Sequence, residues 1–98
     1  MRTIPQNPDF SRNAPTAAPE TLALAALGWL LGEPARAQRY LDVTGLDPDA
    51  LRTGLRDPAV LASALEFLAN HEPDLLGAAE ALAVDPQELI SALGNLGP

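Results

Sequence analysis

The chain has 98 residues, 47% of them hydrophobic, and thirteen acidic side chains against six basic ones give it a net charge of −7. This length predicts one domain with a single core and leaves no room for a second. The absence of cysteine excludes disulfides, thiolate metal sites and cysteine nucleophiles. Because an acidic chain is repelled by phosphates and anionic membranes, we expect a protein partner or self-association, and neither nucleic acid nor membrane as partner.

Residues 1–18, "MRTIPQNPDFSRNAPTAA", contain three prolines and no apolar periodicity, which predicts a disordered N-terminal arm. The arm has no apolar stretch of the kind that secretory signals carry, and with the lack of cysteine this predicts a cytoplasmic protein. The longest apolar run, Leu22 to Leu31, reaches about half the length that a membrane span needs. It is therefore expected to be a buried helix of a soluble domain.

Acid–proline pairs recur along the rest of the chain. Proline fits the first position of a helix, and the acid before it can accept hydrogen bonds from the exposed N–H groups. The pairs are Glu33-Pro34, Asp47-Pro48, Asp57-Pro58, Glu72-Pro73 and Asp85-Pro86. Together with the apolar spacing they predict helices over 19–31, 34–44, 48–55, 58–70, 73–83 and 86–94. The expected fold is all-α, a single compact bundle of five or six short helices over residues 19–96.

Two segments of the chain resemble each other. "LDVTGLDPDALRTGL" (41–55) and "EALAVDPQELISAL" (80–93) share an apolar residue, Asp and Pro at corresponding positions. Two copies of so short a motif arise easily from helix geometry alone. The alternative is a fold of two helix-turn-helix-like hairpins that face each other. The first helix, apolar nearly all round, is expected at the centre.

The basic residues of the middle third form the candidate interaction surface. Helical spacing of three and four residues would place each pair of arginines on one face. Interleaved acids favour internal ion pairs, and the alternative is a docking patch for an acidic partner segment. Tyr40 and Trp29 are candidate anchors provided that either is exposed. The candidate surface comprises Arg36, Arg39, Tyr40, Arg52 and Arg56.

DNA binding is the alternative function. A helix-turn-helix-like hairpin over 34–56 would carry the four arginines toward phosphates. The second hairpin offers Gln87 and Ser91 for base contacts, but Glu88 lies among them and no basic residue follows Arg56. It can therefore release no counterions from DNA, and a packing role is expected for it.

No pattern predicts catalysis or a cofactor. His71 is the single histidine, and Glu72 and Asp74 lie close to it in the sequence. One imidazole without thiolates or a second histidine makes a weak set of metal ligands compared with known zinc sites. A favourable interaction of His71 with the end of the fourth helix explains it equally well. None of the three serines has a histidine at a recognisable spacing. We therefore expect no enzyme, no cofactor and no metal; a pocket around His71 remains a further alternative.

One resemblance covers about two-thirds of the chain. The stretch "LALAALGWLLGEPARAQRYLDVTGLDPDALRTGLRDPAVLASALEFLANHEPDLLGAAEALAVDPQEL", residues 22–89, resembles the bacterial domain-of-unknown-function family numbered 3572. The resemblance implies a compact, soluble bacterial helical domain and carries over no activity or site residue. The expected function is that of a small non-enzymatic interaction protein, which binds through the arginine cluster or a helix groove.

Overall fold

The computed structural model describes residues 18–96, which form six helices and no strand. The all-α prediction is thereby confirmed. The predicted disordered arm lies outside the described residues apart from Ala18. The helices are α1 Pro19–Leu31, α2 Pro34–Thr44, α3 Pro48–Thr53, α4 Pro58–Ala69, α5 Glu72–Leu82 and α6 Pro86–Asn95.

Helix α1 lies at the centre of the bundle, as its all-round apolar sequence predicts. It packs against α2, α4, α5 and α6, and its contact with α4 is the most extensive between any two helices described. Ala23, Ala26, Leu27 and Leu30 are buried there. The two alanines let neighbouring backbones approach closely, while the two leucines fill the space between the helices.

The acid–proline pairs mark the helix starts, but only two of the acids cap a helix with their side chains. Asp57 Oδ1 accepts a hydrogen bond from the Ala59 N–H at 2.9 Å. Asp85 forms a reciprocal capping box with Glu88, whose Oε1 accepts from the Asp85 N–H at 3.0 Å. The pair at the start of α5 is shifted by one residue, because Glu72 is itself the first helical residue.

The two predicted hairpins are not equivalent. Helices α5 and α6 pack on each other, whereas α3 makes no extensive contact with any other described helix, α2 included. Helix α3 has six residues, and Leu51 is the one buried among them. So little apolar surface cannot hold α3 firmly against α2. The helix also ends at Thr53, two residues before the predicted end, so Leu55 lies outside it.

Among residues 18–96, no helix has both the length and the apolar character that crossing a bilayer requires.

Candidate interaction surface

Arg36 is engaged with the end of α1. Its guanidinium group lies 3.7 Å from the centre of the Trp29 ring, and its Nε donates to the Trp29 carbonyl oxygen at 3.2 Å. Glu33 Oε1 is 3.5 Å from its Nη1. The tight turn after α1 brings Arg36 to the Trp29 carbonyl oxygen, which also accepts a hydrogen bond from the Gly32 N–H at 3.1 Å. Arg36 thus stabilises the helix end instead of extending into solvent.

Trp29 is partly buried and packs against the core. Its ring lies so close to Gly77 that a Cβ there would come within 3.0 Å of the indole. Glycine at this position is therefore what allows α5 to approach Trp29. With Arg36 on its ring, Trp29 is a packing residue and not an exposed anchor.

Arg39 joins α2 to α5. Its Nη2 contacts both carboxylate oxygens of Asp74 at 2.8 Å. The Asp74 side chain is 13% exposed and that of Arg39 48%, so water screens the pair in part. Like Arg36, Arg39 is therefore engaged in contacts within the fold.

Tyr40 is wholly buried, at 0% exposure, so its assignment to an exposed surface is wrong. Its ring meets Phe67 edge-on, with centroids 5.6 Å apart. The Tyr40 hydroxyl lies 2.7 Å from Ser63 Oγ. Since Ser63 donates its own proton to the Val60 carbonyl, Tyr40 is the donor. Burial raises the pKa of the Tyr40 hydroxyl, and the hydrogen bond with Ser63 offsets part of the rise.

Arg52 and Arg56 do not share a helical face, because α3 ends between them. Arg52 Nη1 lies 2.8 Å from Asp49 Oδ1, and both side chains are about three-quarters exposed. Such a pair contributes little to stability. Arg56 is exposed and forms no ion pair with any residue in the described range 18–96. Of the four predicted arginines it is the one whose charge stays available there.

Two exposed leucines flank Arg56. Leu24 of α1 is 39% exposed and Leu55, in the turn after α3, is 40% exposed. They border a cavity of about 200 Å³ that also contacts Arg56. We call Leu24, Leu55, Arg56 and the cavities beside them the Arg56 surface. Sequence reasoning missed Leu24 because an all-round apolar helix does not show which of its leucines stays uncovered.

A family match places these residues in a known sequence class. Residues 16–98 match the model of a family described as "Protein of unknown function (DUF3572)". The chain belongs to this family. The resemblance drawn from the sequence is confirmed, and the match includes every residue that the structure describes. No curated protein and no solved structure matched the chain in the corresponding comparisons.

In this DUF3572 chain, His71 closes the C-terminal end of α4. Its Nδ1 lies 2.7 Å from the Phe67 carbonyl oxygen, and its ring stacks on Phe67 with centroids 4.1 Å apart. Nδ1 is therefore the donor, as expected for a histidine at a helix end. No three His, Asp or Glu side chains within residues 18–96 lie close enough together to hold a metal ion. Ser63 and His71 both border a cavity of about 260 Å³.

The arginines of the hairpin over 34–56 do not lie on one packed pair of helices. Its two helices do not pack extensively on each other, and Arg36 and Arg39 are engaged with Trp29 and Asp74. In the DUF3572 chain the arginines predicted as one cluster are therefore separated. Arg52 pairs with Asp49 at the exposed surface of α3, and Arg56 alone belongs to the Arg56 surface.

Proposed function

We propose that this DUF3572 protein is a small, non-enzymatic, cytoplasmic protein-binding module that docks through the Arg56 surface. One observation carries the proposal: Leu24 and Leu55 are exposed and border the same cavity as an arginine that has no ion pair in residues 18–96. Arginine is enriched among the residues that dominate binding energy, and apolar neighbours exclude water from it. The observation thus supports a protein partner.

The cavity that borders Leu24, Leu55 and Arg56 fits a partner side chain better than a whole small ligand. Its volume of about 200 Å³ is below the range of about 300–1,000 Å³ in which small-molecule sites fall. The buried side chain of Leu61 contributes to its lining. A single apolar side chain from a partner would gain contact with Leu24, Leu55 and Leu61 together.

The test compares two double variants that remove equivalent groups at different places. Leu55→Ser with Arg56→Ala changes the Arg56 surface. Val43→Ser with Arg52→Ala is the matched control, because Val43 is 57% exposed, Arg52 is an exposed arginine, and neither lines a cavity at Arg56. Tagged proteins are captured from native cells at native expression, and co-eluting proteins are quantified by mass spectrometry.

We expect a stoichiometric protein to co-elute with the wild type and the control and to be lost from the first variant. Circular dichroism and thermal unfolding check that both variants fold. A partner retained equally by both variants would contradict the role of the Arg56 surface. An eluate rich in nucleic acid, with steeply salt-dependent binding to duplex DNA, would favour the DNA-associated alternative.

A further inference from the structure

The residues around Arg56 restrict the chemistry of the segment that can bind there. We propose that the partner segment carries an aspartate or glutamate between two apolar side chains, with the carboxylate on Arg56. This inference rests on the proposed function, since it names the partner of the same surface. Three features support it: two cavities that meet at Arg56, the cost of covering this arginine, and the acids nearby.

Arg56 borders two cavities. The first, about 200 Å³, lies between α1 and the start of α4. The second, about 520 Å³, lies between α3 and α4 and includes Leu46 and Val60 in its lining. Because Arg56 lines both cavities, a segment that covers Arg56 has an apolar contact available in each of them. Two apolar side chains with a polar one between them match this order.

Covering Arg56 without supplying an acceptor is unfavourable. A guanidinium has five N–H donors, and removing it from water without a partner is costly. Within residues 18–96 no carboxylate lies within ion-pair distance of Arg56. Its neighbour Asp57 already accepts a hydrogen bond from the Ala59 N–H. The partner must therefore bring the acceptor, and a carboxylate matches the planar fork of arginine with two hydrogen bonds.

Two acids of this chain limit how acidic the partner segment can be. Glu20 borders the first cavity and Asp57 the second. A run of acids would bring like charges close to both, whereas one carboxylate centred on Arg56 faces the opposite charge. A basic segment would contact the two acids and leave Arg56 covered but unpaired. One acid between apolar residues pairs with Arg56 and brings the least like charge to Glu20 and Asp57.

The probe is a phage-displayed library of random linear peptides, selected on the full-length chain at about 0.15 M ionic strength. Enriched peptides are synthesised and their affinities measured for the wild type, Arg56→Gln and the matched control Arg52→Gln. We expect peptides with one acid flanked by apolar residues, an affinity loss of about tenfold or more with Arg56→Gln, and no loss with Arg52→Gln. Arg56→Glu paired with peptides carrying lysine for the acid is expected to restore binding.

Three results would overturn the proposal: enriched peptides that are basic or wholly apolar, affinities that Arg56→Gln leaves unchanged, or no enrichment. Self-association is a fourth, recognised when the wild type sediments as a dimer and Arg56→Gln as a monomer. The capture experiment separates the two levels of argument. If the Leu55→Ser, Arg56→Ala variant loses the native partner but the enriched peptides are basic, the acidic segment is wrong and the docking surface stands. If that variant retains the partner, the docking surface itself is wrong.

Discussion

Two turns of this molecule share a left-handed residue and a residue order but lead into helices that are held very differently. Gly45 after α2 and Ala83 after α5 both lie in the left-handed region, with φ of 73° and 59°. Each is followed by one apolar residue, an Asp at the helix cap and a Pro at the first helical position. The resemblance between residues 41–55 and 80–93 is therefore a resemblance of turns.

The helices after the two turns differ in how much apolar surface they bury. Helix α6 buries Leu89 and Ala92 and packs against α1, α4 and α5. Helix α3 buries only Leu51 and has no extensive helix contact. Turn chemistry therefore decides where a helix begins, and the apolar contacts beyond the turn decide how firmly the helix is held.

The largest expected difference concerns the buried leucines of α6 and α3. Leu89, 1% exposed, is enclosed by three helices, so Leu89→Ala should lower the free energy of unfolding by about 2–5 kcal/mol. Leu51→Ala should cost less, because α3 can move or open locally without unfolding the bundle. Urea unfolding followed by circular dichroism measures both. Equal losses would show that α3 is held as firmly as α6.

The two caps should differ by less. Asp85 accepts from the Gln87 N–H at 2.8 Å and belongs to a capping box, so Asp85→Ala should cost about 1–2 kcal/mol. The Asp47 side chain makes no cap hydrogen bond, and Asp47→Ala should stay within about 0.5 kcal/mol of the wild type. Thermal unfolding of the two variants checks the difference. A larger loss of stability for Asp47→Ala than for Asp85→Ala would contradict the prediction that the cap of α6 is the stronger one.

These cases show how much the sequence could predict. Proline positions and apolar spacing are local, so the six helices follow from the sequence to within two residues at the ends that differ. Whether an acid caps does not follow from the residue three positions after it. Glu88 completes the box at Asp85, but Asp57 caps α4 with Val60 at that place, and Asp47, followed there by Ala50, makes no cap bond.

The candidate site was less predictable, because it depends on which helices meet. The spacing of Arg36 and Arg39 fixes their helical face but cannot show that Trp29 and Asp74 occupy the space in front of them. Leu24 and Leu55 come together only through the packing of α1 against α4. Their exposure is a property of the tertiary arrangement and has no local sequence pattern.

The attachment of α2 offers a third test, since α2 is held by α1 and α4 and not by α3. Tyr40→Phe removes the hydrogen bond to Ser63 and should cost about 0.5–1.5 kcal/mol. Ser63 keeps its bond to the Val60 carbonyl, so no unpaired donor remains. Double-variant cycles with Ser63→Ala measure the coupling. Additive losses would mean that the two hydroxyls do not stabilise each other.

The same variant has a defined pH dependence. Burial raises the pKa of Tyr40 above its ordinary value of 10.0, so the unfolded chain releases this proton at lower pH than the folded one. Its contribution is fully present below pH 10.0 and is lost as the pH rises through the folded value. Tyr40→Phe should abolish that loss. Urea unfolding at pH values on either side of 10.0 compares the two proteins, and identical alkaline losses would contradict the assignment.

The smallest effects test the turns themselves. Alanine in the left-handed region costs about 1–2 kcal/mol. Replacing it with glycine removes this strain, but the greater flexibility of glycine in the unfolded chain offsets about half of the stabilisation. Ala83→Gly should therefore stabilise the protein by about 0.5 kcal/mol. Gly45→Ala should destabilise it by a similar amount, and since a Cβ at Gly45 meets nothing within 4 Å, only backbone strain acts there.

Denaturant unfolding of the two single variants and of Ala83→Gly combined with Gly45→Ala measures this pair of turns. We expect opposite signs and near-cancellation in the combined variant, because the two positions lie in separate turns and their effects should add. A loss of stability for Ala83→Gly would mean that the Ala83 methyl group makes a contact that outweighs its strain. The left-handed residues of the two turns would then contribute differently to the free energy of unfolding.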